Sequence, residues 1–264
     1  MSLGAFVDVL TPDVKTWRGQ ILRLRTLPGL RHIEVWLEHL PSPFELAALQ
    51  EALEGVAILV HGPFVDVNLS SAWGEQADLS LRRTLRAIAV AEALGARVFT
   101  IHAGKFSAYE DHEAALLRFA NNYRVIASRA RNMVVAVENL KAKQTGVSRE
   151  CVATLGDMQQ LASYATEVAF TLDVGHALQN SESPHHLLET LAPRIGNVHL
   201  HDASREGRSH RALGTGELDV RSVLRQLDRI RPAFVTLEML GWNALEDSWG
   251  RVSAELAALA DTKP

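Results

Sequence analysis

The sequence predicts a single closed (β/α)8 barrel running through residues 1–264, and three observations predict it. Eight short strand-like runs alternate with helical stretches over the whole length, the pattern of a parallel sheet closed on itself. The segment VDVLTPDVK after the first run lacks the Gly-rich phosphate turn that open doubly wound sheets usually carry there. No linker, low-complexity stretch or shift of composition marks a second domain.

The runs are AFVDVL (5–10), HIEVWLE (32–38), AILVHGPF (57–64), RVFTIHA (97–103), VVAVENL (134–140), VAFTLDV (168–174), IGNVHLHD (195–202) and FVTLEML (234–240). On the second, Glu34 and Trp36 share a face, so Trp36 becomes a pocket wall or part of the core. The third ends on His61 behind Leu59, with Phe64 close after it. Helices are clearest at 78–94, 110–130, 157–164, 219–230 and 244–260. The first of these carries Leu81, Leu85, Ile88 and Leu94 on one stripe with arginines opposite.

The later runs share a second regularity. Thr100 precedes His102, Ala136 precedes Glu138, Thr171 precedes Asp173, Asn197 precedes His199 and Thr236 precedes Glu238, each pair two residues apart. The residues between them, Ile101, Val137, Leu172, Val198 and Leu237, are large and apolar. With period-2 alternation, each strand packs a bulky side chain outward against helices and ends inward on a carboxylate or imidazole. Active sites of such barrels sit at that C-terminal face. In the seventh run Asn197, His199 and His201 face one way, Val198 and Leu200 the other. Gly207, Gly214 and Gly216 then let the backbone fold over the site before Asp219 starts a helix.

Six consecutive strands thus offer His61, His102, Glu138, Asp173, His199 and Glu238 to one mouth, with His176 and His210 on loops just beyond. No Lys or Arg stands among those tips to balance the carboxylates. A bound divalent cation resolves the crowding, since carboxylate oxygen and neutral imidazole nitrogen are its usual ligands. The cysteine-free donor set favours Zn, Mn or Co.

These motifs resemble the xylose-isomerase-like TIM barrels, the superfamily of sugar and sugar-phosphate isomerases and epimerases, inosose dehydratases and endonuclease IV. The likeness is carried by HGPFVDVNLSS (61–71), TIHAG (100–104), VENL (137–140), LDVGH (172–176), VHLHD (198–202), SHRALGTGELD (209–219) and LEM (237–239), in the family order. In the isomerase and epimerase branch the resemblance implies one divalent ion on Glu138, Asp173, His199 and Glu238. It further implies that Glu138 and Glu238 exchange a proton at the carbon beside a carbonyl, through a metal-stabilised enediolate, with His176 on a substrate hydroxyl. In the endonuclease IV branch it implies a second ion on His61 and His102 beside Glu138, and a third on His176 and His210. The acid which that third site expects two residues before His210 is here Arg208, a cation better suited to gripping a phosphate or carboxylate, so the resemblance implies one or two ions per chain.

The expected function is a metal-dependent isomerase or epimerase of a small sugar or sugar phosphate. The alternative is a di- or trinuclear zinc phosphodiester hydrolase, and the third class a non-catalytic metal-binding barrel. A net charge of −4 gives no global basic field for nucleic acid or anionic membrane, without forbidding a local basic patch. The partner expected is therefore a small polyhydroxylated or phosphorylated molecule, with homo-oligomerisation left open. Around the mouth, His176, His210, Arg208, Trp36 and Lys141 are the candidate substrate contacts, with Arg205, Arg211 and Lys143 as further cations and Phe64 and Trp242 as further walls. The single cysteine, Cys151, has no assigned role and suits a reducing cytoplasm. No apolar run approaches membrane-spanning length and no signal-peptide pattern opens the chain, so a cytoplasmic location is expected.

Overall fold

The computed structural model describes residues 1–8, 14–142 and 146–261. Eight parallel strands form the closed barrel: β1 (Ser2–Asp8), β2 (His32–Trp36), β3 (Ala57–His61), β4 (Val98–Ile101), β5 (Val134–Glu138), β6 (Ala169–Asp173), β7 (Ile195–Leu200) and β8 (Phe234–Leu237). Each pairs with its sequence neighbours, and β1 pairs with β8 to close the ring. Helices α1 (Val14–Leu24), α2 (Pro43–Ala52), α3 (Gly74–Leu94), α4 (His112–Ala127), α5 (Leu155–Tyr164), α6 (Val174–Gln179), α7 (Pro184–Thr190), α8 (Val220–Ile230) and α9 (Trp242–Asp261) connect them. The architecture is a (β/α)8 TIM barrel, as the alternation of runs predicts.

All eight expected runs hold barrel strands, but hydrogen bonding stops short of most of their ends. His102 lies just beyond β4 and Glu238 just beyond β8, where the Glu238 N–H still donates to the Leu200 carbonyl at 3.2 Å. The shift places side chains at the rim that the sequence assigns to strand tips. Helices α1 and α2 lie among stretches the sequence left unmarked. The second is fixed at its start by a capping box between Ser42 and Glu45. Lys105–Ser107 and Ser148–Glu150 form a small antiparallel ladder outside the barrel. Lys143 falls outside the described residues.

Two apolar layers hold the barrel. The larger lies between strands and helices, where Val35, Val60, Phe99, Val137, Leu172 and Leu237 meet Ile21, Leu49, Ile88, Leu116 and Phe119. The smaller lies inside, where Leu59, Val98 and Ala136 pack with Ala169 and Phe234. Burying a Leu, Ile or Phe contributes about 1.5–3 kcal/mol, so the outer layer supplies most of the driving force. Above the inner layer the barrel lumen turns polar: Glu34, Thr100, Thr171, Asn197, His199 and Thr236 are fully buried there. The apolar foundation is thin and the site occupies the rest. Among the described residues no helix is long and apolar enough to cross a membrane.

Candidate metal centre

β5 and β6 end on Glu138 and Asp173, β7 carries His199 inward, and Glu238 follows β8. These four side chains converge, each offering one ligand atom within 4.8 Å of the others. None is more than 3% exposed, which is costly for three carboxylates unless a cation joins them. His199 Nδ1 stands 3.3 Å from Glu138 Oε1 and 3.1 Å from Glu238 Oε2. Neither His199 Nδ1 nor Glu238 Oε2 makes a hydrogen bond, although both are fully buried. Two unsatisfied lone-pair atoms facing one another suit a divalent ion, and nitrogen plus carboxylate oxygens is the donor set such an ion takes. Charge says the same. Burial opposes ionisation of Glu138, yet His199, His102 and His61 hold its carboxyl well below the usual range. Burial likewise opposes charging His199, but Glu238, Glu34 and Glu138 raise it well above the usual imidazole value. Positive charge is what this cluster lacks.

A second group shares Glu138. His61 Nε2 and His102 Nε2 each lie 3.1 Å from Glu138 Oε2, the oxygen opposite the one that faces His199. The three form a second set of donors within the same 4.8 Å limit. His61 Nδ1 lies 2.8 Å from the Gly62 carbonyl, to which it donates, and this fixes its ring. Phe64 and Trp36 pack on these imidazoles: Phe64 lies 5.4 Å from His61 and 5.3 Å from His102, and Trp36 lies 5.8 Å from His61.

The third group differs from expectation. His176, His201 and His210 gather within 4.8 Å, so an imidazole left out of the expected constellation joins His176 and His210. His201 is fully buried, and both its ring nitrogens are engaged. Nε2 donates to Asp173 Oδ2 at 2.9 Å, and Nδ1 lies between the Asp202 carbonyl at 3.1 Å and the His210 backbone nitrogen at 3.0 Å. It therefore braces Asp173 and offers no free lone pair. Asp173 also caps α6, its Oδ1 accepting the His176 N–H at 2.7 Å. A Cβ on Gly175 would sit 2.0 Å from His201 Cε1, so only glycine lets α6 start over that ring.

Two further residues went unassigned in the sequence. Glu34 is fully buried and both its oxygens lie 3.1 Å from His199 Nε2. Asp202 binds four backbone N–H groups, those of Ala203 and Leu218 at Oδ1 and of Gly214 and Gly216 at Oδ2. This is how the Gly-rich tail folds over the site: it wraps a carboxylate. The alternation of β2 and the acid closing VHLHD were the available signals, but neither distinguishes a buried brace from a solvated acid.

A cleft of about 730 Å³ opens beside the cluster, lined by Phe64, Asn68, His102, Lys105, Lys141 and His176 among others. Lys141 is half-buried on its wall and donates to the Gly207 carbonyl at 3.5 Å. Arg208 is exposed, and Arg205 is exposed beside Glu217 at 3.9 Å, so neither is drawn toward the donor clusters. His210 stays at the rim, its Nδ1 3.2 Å from the Glu238 carbonyl. Trp36 reaches the site's flank, stacked on Phe6 at 4.5 Å. Trp242 instead lies under Arg23 and lines a separate pocket of about 300 Å³ with Phe6 and Met239. Cys151 is buried, with its thiol pushed up to about 12 by that burial.

A family described as xylose isomerase-like TIM barrel matches residues 24–259. An uncharacterized protein of Methanocaldococcus jannaschii is 24% identical over 178 residues, which covers 65% of this chain and 66%, just under two thirds, of that relative's length. The crystal structure of a D-tagatose 3-epimerase-like protein is similar over 99% of both chains, with a TM-score of 0.83 at 21% identity. A structure of L-ribulose 3-epimerase is similar over 100% of both chains, with a TM-score of 0.79 at 16% identity.

Proposed function

The chain belongs to the xylose isomerase-like TIM-barrel family, and from that premise we propose that it is a divalent-metal-dependent isomerase or epimerase of a small sugar or sugar phosphate. One observation carries the proposal: two buried carboxylates, Glu138 and Glu238, flank the same unsatisfied imidazole nitrogen beside Asp173. Similarity in fold to L-ribulose 3-epimerase and to a D-tagatose 3-epimerase-like protein supports a small-sugar substrate.

Glu138, Asp173, His199 and Glu238 would hold the ion, which when bound polarises a carbonyl and so acidifies the neighbouring C–H. Glu138 and Glu238 are the proton carriers. One takes the proton from carbon, and the other returns one to the opposite face or to the adjacent atom. The charges around Glu138 keep it ionised and hence able to accept. His176, with Nδ1 anchored 3.1 Å from the Asn139 carbonyl and its other edge on the cleft, hydrogen-bonds a substrate hydroxyl. Lys141 receives the far, polar or phosphorylated end of the substrate. Phe64 and Trp36 exclude water on the side of His61.

The test is exchange with solvent. The metal-loaded protein is incubated in deuterated water with a panel of ketoses, aldoses and their phosphates, and recovered sugars are read by NMR. Deuterium at the carbon beside the carbonyl, lost in Glu138→Gln and Glu238→Gln, is the expected result. No exchange with any member of the panel, with Mn, Co or Zn, overturns the proposal.

A phosphodiester hydrolase is the second reading, favoured by the His61–His102–Glu138 group, which a one-ion epimerase does not need. Against it stand Arg208 where a third acid is expected and the commitment of both His201 nitrogens. Metal-dependent nicking of abasic DNA by the purified protein would reverse the ranking.

A further inference from the structure

Glu34 lies in the barrel lumen behind His199, and no part of the proposed chemistry uses it. It is nonetheless the end point of a continuous hydrogen-bond chain through that lumen. Ser2 Oγ lies 2.9 Å from His32 Nδ1, and His32 Nε2 lies 3.0 Å from Thr236 Oγ1. Thr236 Oγ1 donates to Asn197 Oδ1 at 3.2 Å, and Asn197 Nδ2 donates to Glu34 Oε2 at 2.9 Å. His32, Thr236, Asn197, Glu34 and His199 are all fully buried. The donors fix one polarity. Thr236 spends its hydrogen on Asn197, so it accepts from His32 Nε2–H, and His32 Nδ1 is left to accept from Ser2. Every hydrogen in the chain points toward Glu34, which as a carboxylate can only accept. The donor that reaches both of its oxygens is His199 Nε2–H, 3.1 Å from each.

From this geometry, and resting on the metal-centre reading above, we infer that Glu34 is the positioning residue for the metal. It holds His199 in the Nε2–H tautomer and thereby commits the Nδ1 lone pair to the gap between Glu138 and Glu238. A carboxylate behind a ligating imidazole orients the ring and raises its basicity, and loss of such a partner lowers metal affinity by about 10–100-fold. Glu34→Gln keeps the volume but carries its own N–H toward His199 or Asn197. Where that N–H faces His199, the ring can satisfy it only by accepting at Nε2, which moves the ring proton to Nδ1 and onto the metal face. Where it faces Asn197, it meets an amide N–H that had donated to Glu34, and the charge that raised the ring's basicity is gone.

Zinc affinity is measured by competition with a chromophoric chelator on wild type, Glu34→Gln and Ser2→Ala. Ser2→Ala cuts the chain at its far end and leaves the His199–Glu34 contact whole. The expected outcome is a 10–100-fold loss for Glu34→Gln and wild-type affinity for Ser2→Ala. Nitrogen-15 NMR of the zinc-loaded wild type supplies a readout that holds even if Glu34→Gln does not fold: His199 should show protonated Nε2 and metal-bound Nδ1. Equal zinc affinity in wild type and Glu34→Gln, or a protonated Nδ1 in the loaded wild type, overturns the inference alone. A wild type that binds no divalent ion overturns the metal centre itself.

Discussion

Glu238 is the residue on which most depends, because its Oε2 is buried, unbonded and 3.1 Å from His199 Nδ1. Glu238→Gln removes a charge and a proton carrier but no volume, and loss of such a group costs about 10²–10⁴-fold in turnover. Assayed as solvent exchange, the variant should lose activity on that scale while its melting temperature in chelator stays within a few degrees. The double variant His61→Ala, His102→Ala tests the other group: metal content unchanged from wild type is the outcome expected of a one-ion epimerase, and one equivalent fewer would support the hydrolase reading. The six inward side chains were legible because strand period 2 fixes which residues face the lumen, and their chemistry survives any error of a residue or two in strand ends. His201 and Glu34 escaped for a different reason. Both act through another side chain, and a brace is recognisable only once the partner's unfilled nitrogen or oxygen has been located in space. Arg208, two residues before His210 in the sequence, has an exposed side chain, and its grip on a substrate anion stays an expectation.

At the scale of elements, the short helix α6 does more than connect. Its N-cap is Asp173, its third residue is His176, and its second is Gly175, seated against His201. Gly175→Ala would drive a methyl into the His201 ring, and overpacking of this kind costs about 1–3 kcal/mol. The expected result is a lower melting temperature together with weaker zinc binding, because displacing His201 releases Asp173. Stability loss with unchanged zinc affinity would separate helix from site and refute the coupling. α8 offers a comparison remote from the chemistry. Asp219 caps it, its Oδ1 accepting the Ser222 N–H at 3.0 Å, and Asp219→Ala should cost about 1 kcal/mol with zinc affinity intact. The N-cap at Asp219 was visible in the sequence as an acid closing a Gly-rich stretch before an amphipathic run. α6 was not visible, since six residues are too few for a helical period to declare itself.

Over the whole molecule, the buried imidazoles divide into two opposed sets. Burial pushes His32 down to about 4, so it is neutral when folded. Its contribution is present above the ordinary value of 6.5 and is lost as pH falls toward 4. His201 is opposed by burial but raised to about 9 by Asp173. Its contribution is complete below 6.5 and is lost as pH rises through about 9. Metal-free protein should therefore melt highest near neutrality, with a falling limb on each side. His199, opposed by burial but raised in the same direction by Glu238, Glu34 and Glu138, adds to the alkaline limb. Zinc-saturated protein should lose that share of it, because the cation takes the place of the His199 proton; melting curves from about pH 5 to about pH 9.5 with and without zinc will show it. An alkaline limb of equal depth with and without zinc would contradict the metal centre. Glu138, finally, stands between two donor groups with one oxygen turned to each. It cannot give its full negative charge to both, so two ions would be taken up in unequal steps, the first tightly and the second against the repulsion of its neighbour. Metal content would then follow supply: one equivalent when free ion is scarce, two when it is plentiful.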